Sequence, residues 1–164
     1  MKKLLFVAIF LFAGHLAMAQ GTFRLGVNAG LPVGDIDEVS NFQLGADASY
    51  MFGVANVLEI GPLLGYSRFF VEDVDTPFGE FDTEDISYLP IAASGRLGLG
   101  LLFVGADLGY AVSLNDGGEG GFFWRPKVGI GFAAFSLIGS YQGISVDGGT
   151  FSSVNLGLEI GLGN

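Results

Sequence analysis

The chain has 164 residues, half of them hydrophobic, with 17 acidic against 7 basic side chains and a formal charge of −10 at neutral pH. It has no cysteine and one histidine, His15. Disulfides and thiolate chemistry are therefore excluded, and the acidic excess argues against nucleic acid, whose phosphates require a basic surface.

The first twenty residues have the layout of an export signal. Lys2 and Lys3 precede an apolar run from Leu4 to Ala13, and Ala17-Met18-Ala19 precedes Gln20. Cleavage is expected after Ala19, so that residues 1–19 form the signal and 20–164 a single domain large enough for a sizeable core. An uncleaved membrane anchor would need a longer apolar span than this one. Cleavage also removes His15, which leaves the mature chain without Cys or His metal ligands.

From Thr22 onward the chain alternates with a period of two. Phe23, Leu25, Val27, Ala29 and Leu31 oppose Arg24, Gly26, Asn28 and Gly30, which predicts a first strand. The segment from Pro32 to Asn41, with Pro, Gly and three acidic residues, reads as a loop. A second strand runs from Phe42 to Phe52 and a third from Val57 to Phe70, with Pro62 marking a bulge or weakened pairing. The longest loop, Val71 to Asp85, holds seven carboxylates. Strands follow at Ile86–Leu99, Leu102–Leu114, Phe122–Ala134 and about Ser136–Val146, and Asp147-Gly148-Gly149 is a hairpin turn into the eighth. In that last strand, Val154, Leu156, Leu158, Ile160 and Leu162 oppose Ser153, Asn155, Gly157, Glu159 and Gly161. A helix over Leu97–Val112, suggested by the Gly105/Gly109 spacing, is opposed by the alternation and by Asp107. The expectation is an all-β chain, a closed eight-stranded antiparallel up-and-down transmembrane β-barrel with short turns at one end and long acidic loops at the other.

The charges decide which face meets lipid. Arg24, Asp47, Glu59, Arg96, Asp107, Arg125, Lys127 and Glu159 all fall on the glycine-rich face. An Arg or Lys near the midplane of a lipid-facing surface costs about 2–4 kcal/mol. Four would cost about 8–16 kcal/mol, as much as the whole stability of many domains. The charged face is therefore expected to point inward, as a neutral and hydrogen-bonded lumenal network. An eight-stranded barrel leaves an interior that side chains nearly fill, so it should conduct poorly. Aromatic residues should form two belts, with Phe23, Tyr50, Phe52 and Phe135 at the short-turn end. Phe42, Tyr66, Phe69, Phe70, Tyr110, Phe122, Trp124 and Phe151 belong to the other.

The Tyr88-Leu89-Pro90-Ile91 stretch, the signal with Gln20 at the new terminus and the Gly-x-Gly strand endings carry a family likeness. The chain resembles the small outer-membrane barrels of Gram-negative bacteria, of the OmpA and OmpX type, and more closely the PorT-like outer-membrane β-barrel domain. The resemblance implies a place in the cell outer membrane, contact with its lipid, and insertion by the barrel assembly machinery. It also implies a periplasmic N-terminus and extracellular acidic loops. Such barrels usually finish on an aromatic residue, whereas this chain ends Gly161-Leu162-Gly163-Asn164.

Catalysis is not expected. The enzymes among such barrels use His with Ser or Asp, and the mature chain lacks that base. No cofactor is implied. In the long loop, Glu72, Asp73, Asp75, Phe78, Glu80, Phe81 and Asp82 are candidates for contact with divalent cations or a surface ligand, carboxylates suiting hard cations and exposed aromatics suiting recognition. The expected function is envelope structure or surface interaction through these loops. Two alternatives stand beside it: a soluble periplasmic barrel of lipocalin type with an apolar ligand inside, and a small pore or secretion component.

Overall fold

The computed structural model describes residues 21–34, 40–71, 74–76, 79–81 and 85–163. Ten strands follow in chain order. They are β1 (Gly21–Val33), β2 (Ser40–Ala55), β3 (Leu58–Val71), β4 (Val74–Thr76), β5 (Gly79–Phe81), β6 (Ile86–Leu99), β7 (Leu102–Ser113), β8 (Gly121–Phe132), β9 (Phe135–Val146) and β10 (Gly149–Leu162). Eight of them close a barrel in the order β1-β10-β9-β8-β7-β6-β3-β2, each paired antiparallel with its neighbours. Closure removes every free edge, so each barrel strand finds its backbone partners without water. The remaining two, β4 and β5, pair with each other as a small hairpin in the connection between β3 and β6.

The expected loops are shorter than their composition suggests. Pro32 and Val33 continue β1 and face Ser153 and Ser152 of β10, because an edge position without an N–H is tolerated at the end of a strand. At Pro62 the β2–β3 register is the same on both sides, with Ser49 opposite Leu63 and Phe52 opposite Ile60. Its effect is weakened pairing and no bulge there; the register shifts lie at Ser40/Phe42 and Gly53/Ala55. Residues 97–112 are two strands joined by a Gly100-Leu101 turn, where Gly100 supplies the left-handed φ of +79°.

Alternation sorts the side chains as a membrane barrel requires. Val27, Leu31, Leu64, Leu108, Val128 and Leu158 are among the large apolar side chains exposed on the outside. Phe23, Tyr50 and Phe135 lie outside near the short-turn end, and Phe42, Tyr66, Tyr110 and Phe122 lie outside toward the loops. Two aromatics expected in the loop-side belt do not belong to it. Phe69 is fully buried and Phe151 packs against it and Tyr88, with ring centroids 6.0 and 5.5 Å away. Both share the parity of inward neighbours, Ser67 and Ser153, and parity outranks aromatic character. With Leu63, Ala92, Ala111, Phe123 and Ile144 they make a lumenal apolar cluster toward the loop end.

Candidate functional site: the lumen and the loop rim

Strand geometry brings the eight charged residues into the lumen, where they form two groups of two cations and two anions. Nearer the short turns, Arg24 of β1 donates to Glu59 of β3 at 3.0 Å and to Glu159 of β10 at 3.3 Å. Arg96 of β6 reaches across the lumen to donate to the same Glu159, and its guanidinium lies 3.8 Å from the centroid of the Phe103 ring. Midway along the barrel, Asp107 of β7 accepts from Arg125 Nε and from Lys127 Nζ, both at 2.7 Å. Arg125 also donates to Asp47 of β2, at 2.8 Å and again from the opposite wall. Lys127 adds a bond to Ser94 Oγ at 3.0 Å.

Each group is neutral, and that is what permits its burial. Asp107 is fully buried, and Arg96, Arg125, Lys127 and Glu159 are nearly so. An ion pair withdrawn from water is tolerated when geometry is good and the remaining donors are used; a single unpaired charge is not. Glycines at inward positions make room for the long cationic side chains. A Cβ on Gly105 would lie 2.4 Å from the Gly95 carbonyl oxygen and 3.2 Å from Lys127 Cε.

Between the charges and the apolar cluster lies an uncharged polar layer that the sequence reading did not single out. Ser153 Oγ donates to Gln43 Oε1 at 2.9 Å, Asn155 Nδ2 donates to Ser153 Oγ at 2.9 Å, and Gln142 Nε2 donates to Ser67 Oγ at 3.1 Å. Parity with Asp47 and Glu159 places Gln43, Ser153 and Asn155 on the inward face, and all three are buried there. The lumenal cavity beside Asp47, Arg125, Lys127 and Glu159 has a volume of about 20 Å³, room for a single water. Among the described residues, this cavity is far too small for an apolar ligand.

Arg68 is a further charge, and it faces outward. It is 46% exposed at the loop end of β3, where it pairs with Asp85 at 2.6 Å and lies over the Phe70 ring. Asp85 in turn accepts from the Val71 N–H at 3.2 Å, which ties the base of the long connection. Of the loop candidates, Glu72, Asp73, Phe78 and Asp82 lie outside the described residues. In the backbone register of the β4–β5 hairpin, Asp75 is paired with Glu80 and Phe81 with Val74. Among the described residues no three Asp, Glu, His or Cys side chains gather as a metal site.

No family model and no curated protein matches the chain. Solved structures do. Ail, an outer membrane protein of Yersinia pestis determined in a phospholipid bilayer nanodisc, is similar at 15% identity, over 88% of this chain and 99% of that one, with a TM-score of 0.63. A transmembrane β-barrel designed de novo is similar at 11% identity, over 88% and 100%, with a TM-score of 0.55. Neisserial surface protein A is similar at 12% identity, over 85% and 96%, with a TM-score of 0.51. At these identities the likeness is one of fold. The fold is that of the small closed eight-stranded transmembrane barrels.

Proposed function

We propose that the protein is a non-enzymatic integral barrel of the cell outer membrane, exported by its first nineteen residues, in the manner of the OmpA/OmpX and PorT-like proteins that its sequence resembles. The observation that carries this reading is the reversed polarity of the barrel, with large apolar side chains outside and two neutral charge groups inside. Such an outside in water would expose far more contiguous apolar surface than soluble monomers carry. In lipid it is the stable arrangement, because the backbone is satisfied internally and the charges never meet hydrocarbon. The similar structures include an outer-membrane protein, Ail, and the fold is shared with it.

Its role is then envelope structure or surface interaction, with the acidic loops facing outside. Partners of that role are outer-membrane lipid, the barrel assembly machinery, and divalent cations or a ligand at the loops. A lipocalin-like reading requires the apolar face inside, opposite to the arrangement found. A pore reading requires a lumen wider than the one-water cavity present.

Fractionation of expressing cells tests this directly. The protein should pellet with outer membranes and stay there through an alkaline carbonate wash. Release into the soluble periplasmic fraction would refute it.

A further inference from the structure

A cleft at the loop end of the barrel lies apart from both the lumenal charges and the long β3–β6 connection. It sits where the β7–β8 connection meets the β9–β10 turn, and its volume of about 440 Å³ suits a small organic group. Sheet register builds its floor: Tyr110 of β7 is opposite Phe122 of β8, and Phe122 is opposite Ser145 of β9. A period of two puts these side chains on the outer face, where both rings are 53% exposed. The Ser145 hydroxyl is hydrogen-bonded to Thr150 Oγ1 at 3.3 Å. The walls are Glu119, from the connection, and Asp147, from the turn, both exposed. Gly120 brings the loop down onto the floor. A Cβ there would lie 2.6 Å from the Ala111 carbonyl oxygen and 2.7 Å from Tyr110 Cε1, so glycine alone lets the backbone rest against the ring.

Carboxylates on a loop are by themselves an ordinary solvated surface. Two further facts set this pair apart. Beyond residue 20 the basic side chains are Arg24, Arg68, Arg96, Arg125 and Lys127; Arg68 is held by Asp85 and the others are paired in the lumen. Among the described residues neither Glu119 nor Asp147 has an ion pair, and no basic side chain is left to supply one. A positive group for this cleft therefore has to come from outside. The rings decide which kind. A calcium ion asks for about six to eight oxygen ligands, and among the described residues no third acidic side chain gathers with these two. The faces of Tyr110 and Phe122 instead suit a cation carried on carbon or nitrogen framework, which they attract through the ring quadrupole.

We infer that this cleft is a binding site for an organic cation, the arginine or lysine side chain of a partner polypeptide that approaches from the loop side. A guanidinium is planar and weakly hydrated, so it can stack on Tyr110 or Phe122 while its N–H groups donate to Glu119 and Asp147. The ammonium of a zwitterionic lipid headgroup suits the cleft less well, because its own phosphate would be brought against the two carboxylates. This rests on the surface-interaction reading above and gives that surface a partner chemistry.

The test uses the folded protein in dodecyl maltoside, whose micelles carry no charge. Binding of the peptide acetyl-Gly-Arg-Leu-Gly-amide would be followed by broadening of the peptide's own NMR signals, which detects weak association. The parent protein should bind it, and the same peptide with citrulline for arginine should bind several-fold more weakly. Glu119→Gln, Asp147→Asn, Tyr110→Leu and Phe122→Leu should each weaken binding several-fold, the last two with no change of charge. Asp116→Asn removes a carboxylate from the same connection but outside the cleft, and should leave binding nearly unchanged. Equal losses in Asp116→Asn and Glu119→Gln, with the leucine variants unaffected, would reveal only a diffuse acidic surface and overturn the site. Absence of binding to the parent protein would overturn it too. Competition by glycerophosphoethanolamine as effective as that of excess peptide would assign the cleft to a lipid headgroup and overturn the polypeptide partner. A mobility shift on boiling each sample shows that the barrel is closed, so lost binding is then a failure of the site alone. A protein that stays dissolved once the detergent is removed would refute the membrane reading, whatever the peptide does.

Discussion

Replacing Asp107 by Asn isolates the energetics of the lumen. The carboxylate is fully buried and accepts from Arg125 and Lys127, each at 2.7 Å. An amide of the same shape keeps the packing but removes the charge, which leaves two cations against Asp47 alone in a site water hardly enters. Removing one partner of a buried pair costs about 3–5 kcal/mol. With a urea slope of about 2 kcal/mol per M, the unfolding midpoint should fall by about 1.5–2.5 M. Trp124, the sole tryptophan, sits outside against the Tyr141 ring with centroids 5.3 Å apart, so its fluorescence reports the transition. The double variant Asp107→Asn/Lys127→Met restores neutrality with the Arg125–Asp47 pair intact, and should recover more than half of the loss. A single-variant loss below about 1 kcal/mol, or a double variant that loses the sum of the two single ones, would refute the neutral-group reasoning.

Arg68→Ala should cost less than about 1 kcal/mol, because this cation is on the exposed rim, whereas Arg96→Ala should cost about 3–5 kcal/mol because it leaves two lumenal carboxylates, Glu59 and Glu159, against Arg24 alone; parallel urea titrations would show whether the two differ. Gly143→Ala places a Cβ about 2.3 Å from the indole of Trp124, which covers that glycine from the adjacent strand. The indole must move, so the fluorescence maximum should shift while the barrel stays folded; an unchanged spectrum would contradict that packing. In planar lipid bilayers the folded protein should show no sustained open-pore current, and stepwise conductance of the kind wide porins give would contradict the filled lumen.

The architecture was legible because two physical demands act on every barrel residue at once. A side-chain period of two and the cost of a cation in hydrocarbon together assign each position to a face, and Val27 beside Arg24 or Leu158 beside Glu159 leaves no other solution. Strand ends were less legible. Pro32 ordinarily stops a strand, but here β10 is long enough to keep pairing beyond it. The same logic of faces was available for Phe69 and Phe151, whose parity with Ser67 and Ser153 sends them inward. Their aromatic character suggested a membrane belt, and the apolar lumenal cluster was missed for that reason.

Pairing inside the lumen was not legible at all. Arg96 meets Glu159 and Arg125 meets Asp47 across the barrel, between strands that are not neighbours in the sheet. Those contacts depend on the stagger of the closed sheet, and no local pattern encodes it. The role of the acidic loops is hidden for a different reason. Their composition repeats Asp, Glu and Gly, which specifies charge more readily than a binding shape.

The central claim is a closed barrel whose apolar face meets lipid, and its most direct test is electrophoretic mobility before and after boiling, on protein extracted from the outer-membrane fraction. The account predicts a compact band without boiling that shifts on heating, since a closed sheet with no free edge resists detergent unfolding at room temperature. A protein recovered from the soluble fraction, with one mobility under both conditions, would contradict it.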